Sequence, residues 1–135
     1  YLQQGNYVGY QDWTVPVSGI YEFTVSGAAG YDGSGSGTAG RGAVVRGRVS
    51  LTKGEIVTIA VGQRGAAPNN DNTTWGGSGG GTFVVRKAGN EPLFVAGGGS
   101  GSASGATGRD GVTTNLGGTS SAGIDSGGNV GFGGR

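Results

Sequence analysis

Any catalysis by this chain would have to rest on its carboxylates. The acids are Asp12, Asp32, Asp71, Asp110 and Asp125 with Glu22, Glu55 and Glu91, and there is no cysteine, histidine or methionine. Disulfides, thiolate–metal sites and imidazole acid–base chemistry are thereby excluded. Glycoside hydrolysis needs two carboxyls held about 5–10 Å apart across a cleft. Nothing in the spacing pairs these eight. Most stand in turn contexts, where a carboxylate is used for local hydrogen bonding. Asn70-Asp71-Asn72 presents a cluster of oxygens without the spacing of a calcium loop, and reads as a solvated turn. Lysine is limited to Lys53 and Lys87, and no Gly-x-x-x-x-Gly-Lys-Ser/Thr is present, so the abundant glycines make no phosphate cradle. The residues describe a non-catalytic protein with no implied cofactor or metal.

The remaining chemistry is that of binding. Tyr31 and Trp75 fall in glycine-rich segments between strand patterns, and with Asn70 they are the candidate ligand contacts, through sugar stacking or partner burial. Asn72-Thr73-Thr74 is an N-glycosylation sequon, which makes Asn72 a candidate modification site in a eukaryotic secretory setting. Arg41, Arg46 and Arg48 form a basic stripe. At a formal net charge of +1 the stripe reads as a solvated face, with no nucleic-acid partner expected. No stretch approaches the roughly 18 apolar residues of a membrane-spanning helix, so no membrane insertion is expected.

Alternating apolar residues predict the strands that position these groups. Trp13, Val15 and Val17 alternate with Thr14 and Pro16, an edge strand because proline cannot donate to a ladder. After a Ser18-Gly19 turn, Tyr21, Phe23 and Val25 form the inner face of a second strand. Val45, Gly47, Val49 and Leu51 face one way in a third, with Arg46, Arg48 and Ser50 on the other side. Thr52–Glu55 reads as a hairpin loop leading to Ile56–Val61, where Val57, Ile59 and Val61 point inward. Thr82–Arg86 and Leu93–Ala96 form a further hairpin around residues 88–92. Phe83 and Phe94 join Trp13, Tyr21 and Phe23 in the expected core.

Residues 1–10 read as a polar-aromatic arm, and residues 11–135 as one domain. Tyr7, Val8 and Tyr10 of the arm are candidate assembly contacts, able to dock on a neighbouring sheet by strand addition. The chain has 35 glycines, concentrated in segments 27–42, 62–81 and 97–135. Two readings of those segments are open. They are flexible linkers, or they are packed polyproline-II helices whose glycine backbones approach and bond laterally. Triplets such as Gly105, Gly108 and Gly111 fit the second, but this much glycine produces such spacing by chance.

Residues 11–30, QDWTVPVSGIYEFTVSGAAG, resemble the opening of the glycine-rich domain of anaplastic lymphoma kinase-type receptors, with similar modules in bacterial surface proteins and phage fibres. Gly62-Gln-Arg-Gly65, Gly79-Gly-Gly-Thr-Phe83 and Leu93-Phe-Val-Ala-Gly-Gly-Gly99 follow in comparable order, so the resemblance spans about two thirds of the chain. It implies an all-β fold, a small tumour-necrosis-factor-like (TNF-like) or jelly-roll β-sandwich with glycine segments ordered as polyproline II. On that implication, segment 97–135 packs on or beside the sandwich. The chain lacks the receptors' cysteines and kinase portion, so their signalling does not carry over.

These features predict an extracellular protein, secreted or displayed on a cell or virion surface. Its expected role is structural: self-assembly into a fibre, filament or surface layer, as a homo-oligomer or filament. The alternative is an adhesin module that binds a cell-surface receptor or glycan.

Overall fold

Pro16 decides where the first strand stops. Without an N–H it cannot extend a ladder, and β1 runs over Tyr10–Thr14 rather than the expected 13–17. Val15 is the last residue to bond in the β4 register, its N–H donating to the Glu55 carbonyl at 2.8 Å. Val15 is nonetheless buried, while Val17 is exposed. Tyr10, expected in the arm, is the first residue of β1 and lies opposite Ala60. The computed structural model describes residues 9–67 and 75–113. There the chain is all-β, completed by β2 Gly19–Ser26, β3 Val44–Leu51, β4 Ile56–Ala60, β5 Thr82–Arg86 and β6 Glu91–Ala96. A 3₁₀ turn, Ala88–Asn90, joins the last two, with Gly89 at φ 79° and Asn90 at φ 52°. The strands make two antiparallel sheets, β1-β4-β5-β6 and β2-β3, packed as a small sandwich.

Thr52–Glu55 is not a hairpin loop. β3 pairs with β2, and β4 pairs with β1 and β5, so the turn crosses from one sheet to the other. The cause is local: Gly54, at φ 88°, donates its N–H to the Val15 carbonyl at 2.9 Å, and Val15 donates back to Glu55. The turn is thus tied to the end of β1, which delivers β4 to the sheet of β1.

The core forms where the inner faces meet. Val15, Val25, Leu51, Val57, Val84 and Ala96 are buried, with Trp13, Tyr21, Phe23, Ile59 and Phe94 packed against them. Trp13 meets Tyr21 edge-on at 5.4 Å, and Phe23 meets Phe94 at the same centroid distance, both within the favourable range for ring pairs. Two expected core positions are corrected. Val61 lies past the end of β4 and is exposed, and Phe83 points to the outer face of its sheet, 44% exposed. Gly47 leaves a notch opposite Phe23 that the Phe94 ring fills; a Cβ there would stand 2.6 Å from a ring carbon. Gly47→Ala is expected to destabilise by about 1–3 kcal/mol through overpacking, and Phe94→Leu in the same chain to recover part of that loss in a urea-unfolding double-mutant cycle.

Strand ends continue directly into the glycine segments, each running out from the sandwich and back. The six runs are 27–31 and 38–43, 62–66 and 76–81, and 97–102 and 108–112. Their lateral bonds recur every three residues. Gly27 and Gly30 donate to Ala43 and Gly40, Ala28 and Tyr31 to Gly80 and Gly77, Gly40 and Ala43 to Ser100 and Gly97, and Gly108 and Gly111 to Thr38 and Arg41. Three is the period of polyproline II, which has no internal bonds and must satisfy its backbone laterally. The pairings describe two rows of three, with 62–66, 27–31 and 38–43 lying over 76–81, 97–102 and 108–112. These six runs therefore form an ordered bundle beside the sandwich and not flexible linkers.

Candidate functional site

The outgoing runs end and the returning runs begin at the end of the bundle away from the sandwich, where the first turn, 32–37, and the third, 103–107, lie. At about 3.1 Å per residue that end stands roughly 15–20 Å out. Contacts between these two turns place them together. The Ser102 hydroxyl, buried, donates to the Gly37 carbonyl at 2.9 Å and accepts the Gly33 N–H at 2.8 Å, joining the first turn to the third. Gly76 donates to the Ser102 carbonyl at 2.8 Å and ties the start of the run 76–81 to them. Reciprocal bonds between Ala103 and Ala106 close the third turn, and Asp32 closes the first by accepting the Ala39 N–H at 2.7 Å.

The candidate ligand residues meet this tip unequally. Tyr31 ends an outgoing run and is half-buried, with the Arg64 guanidinium 4.9 Å from its ring centroid. One ring face is therefore engaged by a cation–π contact. Arg64 also lies 4.0 Å from Asp32 and reaches the Gly30 carbonyl. Trp75 is the open aromatic, 72% exposed, beside Gly76. Asn70 and Asn72 lie outside the described residues, as do Tyr7 and Val8. Arg64 and Ser102 were not legible as site residues, since Gln63-Arg64-Gly65 and Gly101-Ser102 look like any polar step in glycine-rich sequence.

Each described acid is engaged. Asp12 binds Lys87 and the Thr58 hydroxyl, Glu22 lies between Arg46 and Arg48, and Glu55 and Glu91 both meet Arg86. Asp110 accepts the Arg41 N–H. Arg46 and Arg48 stand on the outer face, as the alternation requires. Among the described residues no group of three or more acids is placed to hold a metal ion. Arg86 spans the base of the sandwich, its guanidinium also donating to the Ser50 carbonyl of the opposite sheet; hydrogen bonding to Glu91 is the main cause that raises its pKa.

Hydrogen bonds from Lys87 and Thr58 hold the Asp12 carboxyl below its ordinary value, and those from Arg46 and Arg48 do the same for Glu22. A carboxyl depressed in the folded state contributes stability above its unfolded pKa, and loses it as pH falls through the folded value. Melting temperature is expected to hold down to pH about 4 and to drop below it. Glu22→Gln should melt with a shallower acid dependence than the parent; equal slopes between pH 2 and 6 would remove Glu22 from that account.

No protein-family model and no curated protein gives a match to this chain.

Proposed function

We propose that this protein is a non-catalytic binding module that uses the bundle tip to recognise a cell-surface receptor or glycan outside the cell. The observation that carries the reading is the exposed Trp75 beside Gly76, at the end of the bundle where Ser102 joins the first turn to the third. An indole 72% exposed is a large apolar surface left to water, and aromatic anchors of this type carry much of the energy at recognition surfaces. The laterally bonded bundle supplies what flexible loops lack, a backbone ordered before the ligand arrives. A glycan array and a whole-cell binding assay test it. Trp75→Ala should weaken binding at least tenfold while leaving the melting temperature within a degree or two, since the side chain is exposed. Wild-type protein with no signal above background, or W75A that binds equally well, sinks the reading.

A structural role by self-assembly is the second reading. Two observations favour it: β1 is an edge strand, and an apolar row crosses the outer face of its sheet. Strand addition by the arm would link copies head to tail into a filament. Filaments in negative-stain micrographs that persist after deletion of residues 1–8 would exclude the arm as the link.

A further inference from the structure

The two sheets differ in the centre of their outer faces. On β2 and β3 the outward residues are Glu22, Thr24, Arg46, Arg48 and Ser50, with Ile20 and Val44 exposed at either end. On the four-stranded sheet the register aligns Tyr10, Ala60, Phe83 and Val95 in one row across all four strands. Phe83 is 44% and Val95 47% exposed, and Ile56 of β4 is also exposed. The next row is Asp12, Thr58, Val85 and Pro92. β4 and β5 are thus largely apolar on both sides, the composition of strands covered on both faces. Arginine and glutamate occupy the centre of one outer face, and an apolar row crosses the other.

We propose that the outer face of the β1-β4-β5-β6 sheet is a self-association surface, covered by the same face of a second copy across a two-fold axis. The proposal rests on the self-assembly reading and names its contact surface. Charge selects the occupant. The ion pair on this face is Asp12 with Lys87, both signs side by side. A two-fold interface is self-complementary, residue i meeting j and j meeting i. Asp12 of one copy can therefore face Lys87 of the other while the apolar rows overlap. A net charge of +1 adds little long-range repulsion between copies. The face is four strands wide and about five residues long, so its flat extent is roughly 300 Å² from standard strand spacings. That is well under the roughly 800 Å² per partner of a stable complex. The expected product is a reversible, concentration-dependent dimer.

Sedimentation equilibrium over about 1–500 µM tests this, with near-UV circular dichroism to confirm folding of each variant. The wild-type mass should rise from 13.1 kDa toward twice that value. Phe83→Glu should move the association midpoint at least tenfold higher, whereas Ile20→Glu, exposed on the other sheet, should leave it in place. D12K carries two positive groups on the face and K87D two negative ones. Each should self-associate less than wild type, and an equimolar mixture should form a mixed dimer tighter than either alone, which a loss of fold in either variant could not produce. A wild type that stays monomeric throughout overturns both this surface and the self-assembly reading. Assembly that is blind to F83E, or that responds to I20E instead, overturns this surface alone.

Discussion

Gly40→Ala is expected to abolish the glycine bundle. A Cβ on Gly40 would lie 1.9 Å from the Arg109 carbonyl oxygen and 2.3 Å from its carbon. Both are backbone atoms, so no rotamer change makes room. Nor can the run slide away: the Gly40 N–H donates to Ser100 at 2.9 Å and its carbonyl accepts from Gly30 at 3.0 Å. Relief requires breaking the lateral bonds that satisfy several polyproline-II backbones at once, and burying a backbone group without a partner is costly. The loss should reach about 4 kcal/mol or more, the exceptional end for one substitution and a large part of a typical domain's stability. Gly97→Ala is the control. It lies at the base of the same bundle, where the nearest atom is Val112 O at 3.7 Å, an ordinary contact. Urea unfolding should place G97A within about 1 kcal/mol of the parent. If G40A and G97A unfold together, close backbone packing is not what orders these segments.

Thr82→Val should cost about 2–4 kcal/mol although it alters shape very little. Thr82 opens β5 and is buried where three segments pass between sandwich and bundle. Its hydroxyl donates to the Ser26 carbonyl at 2.7 Å, at the end of β2, and accepts the Gly62 N–H at 3.0 Å, just beyond β4. Valine fills the space and leaves an N–H and a carbonyl without their partner at a part-buried position, the expensive half of losing a hydrogen bond. Thr82→Ser keeps the hydroxyl and should recover most of the loss. Amide exchange offers a sharper reading: in T82V protection should fall first at Gly62, next to the missing acceptor. Equal stability of T82V and wild type would show that the join is held by the sheets alone.

Alternation carried much of the β-sandwich in the sequence. Tyr21, Phe23 and Val25 against Glu22 and Thr24, and Val45, Val49 and Leu51 against Arg46 and Arg48, have their inner and outer faces where the period of two puts them. A period of two separates two faces, however, and does not say whether the second one is also apolar. Phe83 therefore read as core, since Thr82–Arg86 is apolar on both sides and only the sheet's position shows which side meets β2 and β3. Val61 read as inward for a related reason: alternation continues past Ala60, but the ladder ends there. Pro16 reads as a ladder breaker, and pairing with β4 does end at Val15 and Glu55; that the same pairing runs back as far as Tyr10 depends on β4 lying alongside, which alternation near Pro16 does not show.

Composition alone determined that this chain carries no thiol or imidazole chemistry, and local pattern determined that its regular elements are strands. Tertiary structure decided the rest. The partition of β3 and β4 between sheets depends on bonds between Val15 and the turn at Gly54, residues about forty positions apart, which no local pattern encodes. The polyproline-II order was hidden for a similar reason. Glycine is needed only where one run presses on another, so positions such as Gln63 and Arg109, both exposed, carry side chains and interrupt any strict repeat. Tyr31, Arg64 and Ser102 come together because the runs 27–31, 62–66 and 97–102 lie side by side, and that convergence is a property of lateral hydrogen bonds between segments rather than of any one of them.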